Sequence, residues 1–268
     1  MTKPYGISVL SFNHPELTAK CLKSVLQFAQ PENVFLTHNG SLEKHVAQLK
    51  TQFPEINHIF VTENKGYTRG ANMALTETLK HFNSVLFLTN DTEAISLPEF
   101  APQNFSSIKL LRRNSTEVDS VMGALDPRIG KLKHLKSLAD HNPRDLTYIP
   151  GTAFWINRET FKELIGFDER FHTYWEDVDF SLRAHQKGIP VSYDETTVFR
   201  HKIGKTCHKD RFYTYELFQR NRGRCMTKNN LTSLRFYFNY IPDILKYCRS
   251  DYRKALSIFN NHRLAKDS

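Results

Sequence analysis

Residues 170 to 188 read RFHTYWEDVDFSLRAHQKG, where three carboxylates, Glu176, Asp177 and Asp179, follow two bulky aromatics, Tyr174 and Trp175. Val178 and Leu182 form an apolar face behind the acids, so the stretch reads as the start of a helix that ends near Gly188, with Pro190 as a stop. Acids at such a place complement the helix dipole and cap free amides, and this explanation suits Asp179. Glu176 and Asp177 have a second use. Adjacent carboxylates beside exposed aromatics suit a sugar, whose ring stacks on Trp175 while a carboxylate receives a hydroxyl proton.

Three other stretches carry chemistry. Ser84 to Thr89 reads as a buried strand, after which Asn90-Asp91 projects a carboxylate into the crevice above a sheet. A strand-end Asp serves well as a turn residue, but in a cleft it can hold Mg2+ or Mn2+, which take one or two carboxylates plus substrate phosphates. In ENKGYTRGANMA, residues 63 to 74, two glycines between a strand and a helix allow close backbone approach, and Arg69 with the helix N-terminus favours an anion. The glycine spacing matches neither a dinucleotide-binding fingerprint nor a P-loop. His201 closes a strand and can either add a nitrogen ligand to the Asp91 metal or serve as an ordinary loop histidine. With Cys207 and His208 it lacks zinc-finger spacing. Lys205 and Arg220 either bind phosphate or solvate a surface. There is no nucleophile elbow and no cysteine in a nucleophile context, so covalent catalysis is not indicated.

The elements that must position these groups alternate in type over the first ninety residues. Ile7 to Phe12, Val34 to Thr37, Ile59 to Thr62 and Ser84 to Thr89 are strand-like, and the apolar stripes between them keep helical spacing, with Asn13 as a candidate cap for the first helix. Such alternation implies an α/β fold whose mostly parallel sheet is flanked by helices and places ligands beyond the carboxyl ends of its strands. Residues 97 to 147 read as loops plus a hairpin around Asp126-Pro127-Arg128. From about residue 209 the chain reads as a helical, basic and aromatic tail, which suits either an anionic membrane surface or packing on the main domain.

The 268 residues are 40% hydrophobic, enough for a sizeable core, and the formal charge of +9 favours acidic partners. No zinc-finger spacing or aromatic RNA-binding signature is present, so nucleic acid is not the expected partner. Four widely spaced cysteines suggest a reducing compartment, and the chain enters its first strand without an apolar signal core, so a cytoplasmic protein is expected, with peripheral membrane contact through the tail as its one membrane association.

Taken in order, SVLSFNHPELTAKCLKSVL, HNGS, ENKGYTRGANMAL, VLFLTNDTE, GTAFWINRETFKELIGFDERF, WEDVDFSLRAHQKG, FRHKIGKT and QRNR resemble family 2 glycosyltransferases of the GT-A fold, in particular the rhamnosyltransferase-like and galactofuranosyltransferase-like branch. The resemblance implies a GT-A domain over residues 1–215 and a helical extension over 216–268. It implies inverting transfer of a sugar from a nucleoside diphosphate donor, dTDP- or UDP-linked, to a glycan or lipid-linked hydroxyl of the cell envelope. Asp177 matches the general base, with Glu176 placing the acceptor and Trp175 lining its pocket. Asp91 and His201 match ligands of Mn2+ or Mg2+. Ser11, Asn13, Asn39, Gly66, Arg69, Asn72 and Asn90 match the nucleotide-binding walls, and Lys205 and Arg220 the phosphate contacts. Two departures stand out: His38 replaces the Asp that often contacts the nucleobase, and Thr89-Asn90-Asp91 lacks the first acid of the metal motif. The alternative is a protein of this fold that binds a nucleotide sugar without turnover.

Overall fold

A computed structural model describes residues 4–102, 105–202, 211–248 and 258. The first half alternates β1 (Gly6–Ser11), α1 (Pro15–Val25), β2 (Val34–Asn39), α2 (Glu43–Gln52), β3 (Asn57–Val61), α3 (Gly66–His81) and β4 (Ser84–Thr89), followed directly by β5 (Thr92–Ser96). Then come β6 (Phe105–Arg112), β7 (Val118–Ser120), β8 (Met122–Asp126), β9 (Lys131–Leu135), β10 (Leu146–Tyr148) and β11 (Ala153–Asn157). The chain continues through α4 (Arg158–Glu163), α5 (Glu176–Gln186), β12 (Val191–His201), α6 (Arg211–Lys228) and α7 (Leu234–Cys248).

The main sheet has the order β3-β2-β1-β4-β11-β6-β12-β5, with β7 added on β6. β1 to β4 are parallel, as their helical crossovers require. β11 runs antiparallel between β4 and β6, and β12 pairs parallel with β6 and antiparallel with β5. The expected α/β sheet flanked by helices is therefore present. The segment over 97–147 is more ordered than the sequence suggests: it supplies a central strand, β6, and a second sheet of order β10-β8-β9 whose β8–β9 turn is the expected hairpin.

Two cores sandwich the main sheet, since alternate residues of a strand point to opposite faces. Ile7, Val9, Leu36 and Leu88 pack under Leu22, Val25 and Leu49 of α1 and α2, while Leu10, Phe87 and Phe154 pack under Ala71, Leu75 and Phe180 of α3 and α5. A third core holds Phe171, Trp175 and Val178 against Cys225, Met226, Phe236, Tyr240 and Ile244 of α6 and α7. The boundary drawn at 215 falls inside α6, and the C-terminal helices share this core with the start of α5.

Local differences from the sequence expectations have physical causes. Asn13 does not cap α1: His14 takes the cap position with φ 52° and makes no side-chain cap bond, while the Asn13 side-chain Oδ1 accepts from the Leu42 N–H at 3.1 Å and bridges the β1 and β2 ends. Asp179 is fully buried and does not cap either. It binds Arg183 at 2.9 Å and Lys228 at 2.8 Å, fastening α5 to α6.

The turn before α5 contains three non-glycine residues at positive φ, His172, Tyr174 and Trp175. The Asn221 amide of α6 holds it by donating to the carbonyls of Phe171, Thr173 and Tyr174 at 2.7, 2.8 and 3.0 Å. Asn221→Ala removes the side-chain donor from these three carbonyls and is expected to cost about 2 kcal/mol of unfolding free energy. Denaturant titration checks this, and an unchanged midpoint would mean that the turn is held by other contacts.

Candidate active site

The acids at the start of α5 occupy different environments. α5 has no side-chain cap, because Trp175 stands at its N-cap with φ 72°, and its first-turn amides are free for the acids. Asp177 is half-buried; its Oδ2 accepts from the Gly151 N–H at 2.9 Å and its Oδ1 from the Val178 N–H at 2.8 Å. Burial raises its pKa, opposed by those two N–H groups and by His134. Glu176 is buried, and its Oε2 has no hydrogen-bond partner. Burial, and then the charge of Asp177, push its pKa well above the usual carboxylate range. Two acids so close do not both ionise readily, and the one with backbone donors takes the charge. Asp177 is thus the carboxylate of the pair and Glu176 the neutral acid.

Asp91 lies beyond β4 at the same end of the sheet. The Thr89 hydroxyl donates to its Oδ1 at 2.6 Å, and His201 Nε2 stands 3.6 Å from its Oδ2. His201 Nδ1 is 3.5 Å from Asp119 of β7, so the imidazole sits between two carboxylates. Burial opposes charge on both Asp91 and His201, yet each outweighs it for the other: His201 and the Thr89 hydroxyl hold Asp91 below its ordinary value, while Asp91 and Asp119 lift His201 above its own.

The two halves are joined. Thr89 N–H donates to the Thr152 carbonyl at 2.9 Å, and the preceding residue, Gly151, binds Asp177 through its N–H and accepts from the Tyr67 hydroxyl through its carbonyl. Burial and the neighbouring acids Glu176, Asp177 and Asp91 push the Tyr67 hydroxyl pKa well up, which places this phenol beside all three. Gly151 has no room for a side chain, since a Cβ would meet the Tyr67 oxygen at 2.8 Å. Tyr67, Thr89, Asp119 and Gly151 were not singled out from sequence as site residues. Tyr67 and Gly151 lie inside motifs that were noticed, whereas Asp119, in a three-residue strand, gave no signal.

The residues expected to form the donor walls divide. Ser11, Asn90 and Thr18 make a buried network at the ends of β1 and β4, with Asn90 Nδ2 donating to the Thr18 hydroxyl at 2.9 Å and the Ser11 and Thr18 hydroxyls 2.8 Å apart. Asn39 donates to the Gly66 carbonyl at 3.0 Å, while its Oδ1 is buried and unpaired. Gly66 has φ +86°, and a Cβ there would overlap the His172 ring, so this glycine serves packing. Arg69 forms an exposed ion pair with Glu169 at 2.6 Å. The Asn72 side chain is taken up by the Phe167 backbone, donating to its carbonyl at 2.9 Å and accepting from its N–H at 2.8 Å. Neither Arg69 nor Asn72 is thus left open toward the strand ends. Arg220 Nε is buried without a partner, and Lys205 lies outside the described residues.

One expectation about a ring is corrected. Trp175 is not an exposed platform: it is 1% exposed and packs edge-on against Phe218, because its left-handed backbone turns the ring into the third core. His38 is also buried. Its Nε2 bonds His58 Nδ1 at 2.9 Å, His58 Nε2 donates to the Phe53 carbonyl, and its ring stacks on Phe60. Burial, followed by His58 and Lys50, lowers its pKa to about 4, so the ring is neutral near pH 7 and its buried Nδ1 is left as an unpaired acceptor.

Several solved glycosyltransferase structures share this fold. GalNAc-T7 with UDP, GalNAc and Mn2+ matches 98% of this chain and 55% of its own, with TM-score 0.67 and 14% identity. The mannosyltransferase PcManGT of Pyrobaculum calidifontis, in complex with GDP-Man and Mn2+, matches 100% of this chain and 76% of its own, with TM-score 0.51 and 14% identity. S. aureus TarS 1-349 in complex with UDP matches 100% and 91%, with TM-score 0.52 and 12% identity. The fold is that of the GT-A glycosyltransferases. In sequence the chain is similar to the low-salt glycan biosynthesis hexosyltransferase Agl10 of Haloferax volcanii, 24% identical over 193 residues, which are 67% of this chain and 62% of that protein. The chain therefore spans less than two thirds of that relative's length. No family model matches. The resemblance to glycosyltransferases read from the motifs is borne out, and no branch is singled out.

A carboxyl whose folded-state pKa is raised contributes stability that is full below its unfolded value and is lost as pH rises through the folded value. Glu176 is such a group, so wild-type stability should fall with rising pH relative to Glu176→Gln. Melting temperatures of the two proteins, followed from acid to mildly alkaline pH, should diverge in favour of the variant. A gap that does not change with pH would mean that Glu176 ionises freely.

Proposed function

We propose that the chain is an inverting glycosyltransferase that moves a sugar from a nucleoside diphosphate donor to a hydroxyl of a glycan or lipid-linked acceptor. The observation that carries this reading is Asp177, held at a helix start by two backbone N–H groups and joined through Gly151, Thr152 and Thr89 to Asp91. A single displacement at an anomeric carbon needs one base for the attacking hydroxyl and charge stabilisation for the leaving diphosphate, and no protein nucleophile. Asp177 takes the hydroxyl proton. Glu176, kept protonated, donates a hydrogen bond to the acceptor and leaves the negative charge on its neighbour.

Asp91 Oδ2 and His201 Nε2 would hold a divalent cation. Their 3.6 Å separation suits two donors facing one ion, and an imidazole beside a carboxylate favours Mn2+ over Mg2+. Among the described residues no group of three His, Cys, Asp or Glu is placed to hold a metal, and a cation held by Asp91 and His201 would take its remaining ligands from donor phosphate and water. When bound, the cation supplies charge neutralisation at the departing diphosphate. Asp119 orients the His201 ring from its far nitrogen. Arg220 is proposed as a phosphate contact through its unpaired Nε. Ser11, Asn39 and Asn90 line the nucleotide side at the strand ends. His38 is neutral near pH 7 and buried, and UDP- and dTDP-sugars are the donors that the motif resemblance favours.

Asp177→Asn keeps the shape of the side chain but cannot take a proton. It should lower the transfer rate by roughly 10² to 10⁴ while donor affinity stays at the wild-type value. A variant turning over at the wild-type rate would remove Asp177 as the base. For the cation, calorimetric titration of Mn2+ should show weak binding to the protein alone and tighter binding with UDP or GDP present. His201→Ala should abolish the tighter phase, and Asp119→Asn should weaken it by roughly 10- to 100-fold. Nucleotide binding that ignores both Mn2+ and the loss of His201 would rule the metal site out.

A further inference from the structure

α7 has two apolar faces, and the fold uses one. Phe236, Tyr240 and Ile244 are fully buried in the third core, where the Tyr240 hydroxyl donates to the Gln219 carbonyl and the Arg222 guanidinium lies over both rings. Leu234, Phe238, Ile241 and Leu245 point the other way, 79%, 77%, 39% and 49% exposed. At about 100° per residue these four fall within roughly 60° of arc. Single exposed apolar residues are ordinary, but a continuous stripe of four on one helix marks a contact surface.

We infer that this outer stripe docks α7 onto an anionic lipid bilayer, with the helix lying in the plane of the interface. Charge decides the occupant. The chain carries +9, and α7 has one acid, Asp243, which is paired to Arg222 at 2.9 Å. Arg235 stands exposed beside the stripe. The β8–β9 hairpin packs its Gly130 against Phe236 and carries the exposed Lys131, with Lys133 paired to Asp145 at 3.6 Å, and the sequence after the helix continues with Arg249, Arg253, Lys254, Arg263 and Lys266 against Asp251 and Asp267. Apolar anchors flanked by basic residues match an interface of acyl chains beneath anionic headgroups. No helix among the described residues is long and apolar enough to cross a membrane, so α7 lies on the surface.

The inner face of α7 shares its core with Trp175, the residue before Glu176 and Asp177. Docking therefore sets the acid pair across the third core from the lipid-facing stripe. On the proposed function, this favours an acceptor sugar carried on a lipid; the docking itself stands on α7 alone.

The test is co-sedimentation of the full chain with vesicles of phosphatidylcholine and with vesicles containing an equal share of phosphatidylglycerol. Wild type should bind the anionic vesicles, lose that binding in high salt, and ignore phosphatidylcholine. The double variant Leu234→Ser, Phe238→Ser should melt like wild type, since neither side chain is in the core, and bind anionic vesicles at least about tenfold more weakly. Equal binding by the two proteins, or no binding by wild type, overturns the inference. So does a dimer in light scattering that the double variant abolishes while vesicle binding is absent, which would assign the stripe to a second copy of the chain. Transfer to a soluble acceptor is measured separately: vesicle binding without transfer would sink the proposed reaction and leave the docking intact.

Discussion

The candidate site depends on one hydrogen bond, from the Gly151 N–H to the Asp177 carboxylate. It ties the helix that carries the acids to the segment just before β11, and the carbonyl of the same residue ties that segment to Tyr67 on α3. Three elements thus meet at one residue, which must be glycine because the Tyr67 oxygen occupies the place of a side chain. The bond also decides which acid is charged. Without a backbone donor on each oxygen, Asp177 would share the fate of Glu176, whose burial is opposed by its own backbone N–H alone.

Presenting the acids in this way strains the chain before them. His172, Tyr174 and Trp175 all have positive φ, at about 1–3 kcal/mol for each sparsely populated conformation. Such a turn persists only where its surroundings over-determine it. Gly66 packs against the His172 ring, Thr68 N–H donates to the His172 carbonyl, Trp175 is buried, and Asn221 gathers three carbonyls. The helices at the C-terminal end thereby form part of the support of the site, and a division of the chain at residue 215 hides this.

Much of the fold was legible because the parallel half follows local rules: buried β-branched runs, helical stripes and glycines at turns. β11 is legible as the apolar run Ala153 to Ile156, but β6 escapes because FSSIKLLR mixes serines into a central strand, and those serines bond distant partners such as Ser192 and the Val121 carbonyl. The paired acids, Asp91 and His201 were legible because their types and positions at element ends point to chemistry. The environment of each was not. Trp175 was read as exposed, since periodicity carries no sign of a left-handed residue that swings a ring inward. Arg69 and Asn72 were read as ligand groups because nothing local reveals that Glu169 and the Phe167 backbone, about a hundred positions away, take them up.

Asn221 has a thermodynamic meaning beyond support. It lies on α6, which packs with α7 on one side and holds the turn of the acids on the other, so the lipid-facing helix and the acid pair are two ends of one hydrogen-bonded and packed unit. Where a ligand at one end of that unit changes affinity at the other, linkage makes the effect reciprocal and equal in factor. If docking alters affinity for the acceptor, the acceptor alters residence on the membrane equally, and an enzyme so built would stay longest where its substrate is most abundant.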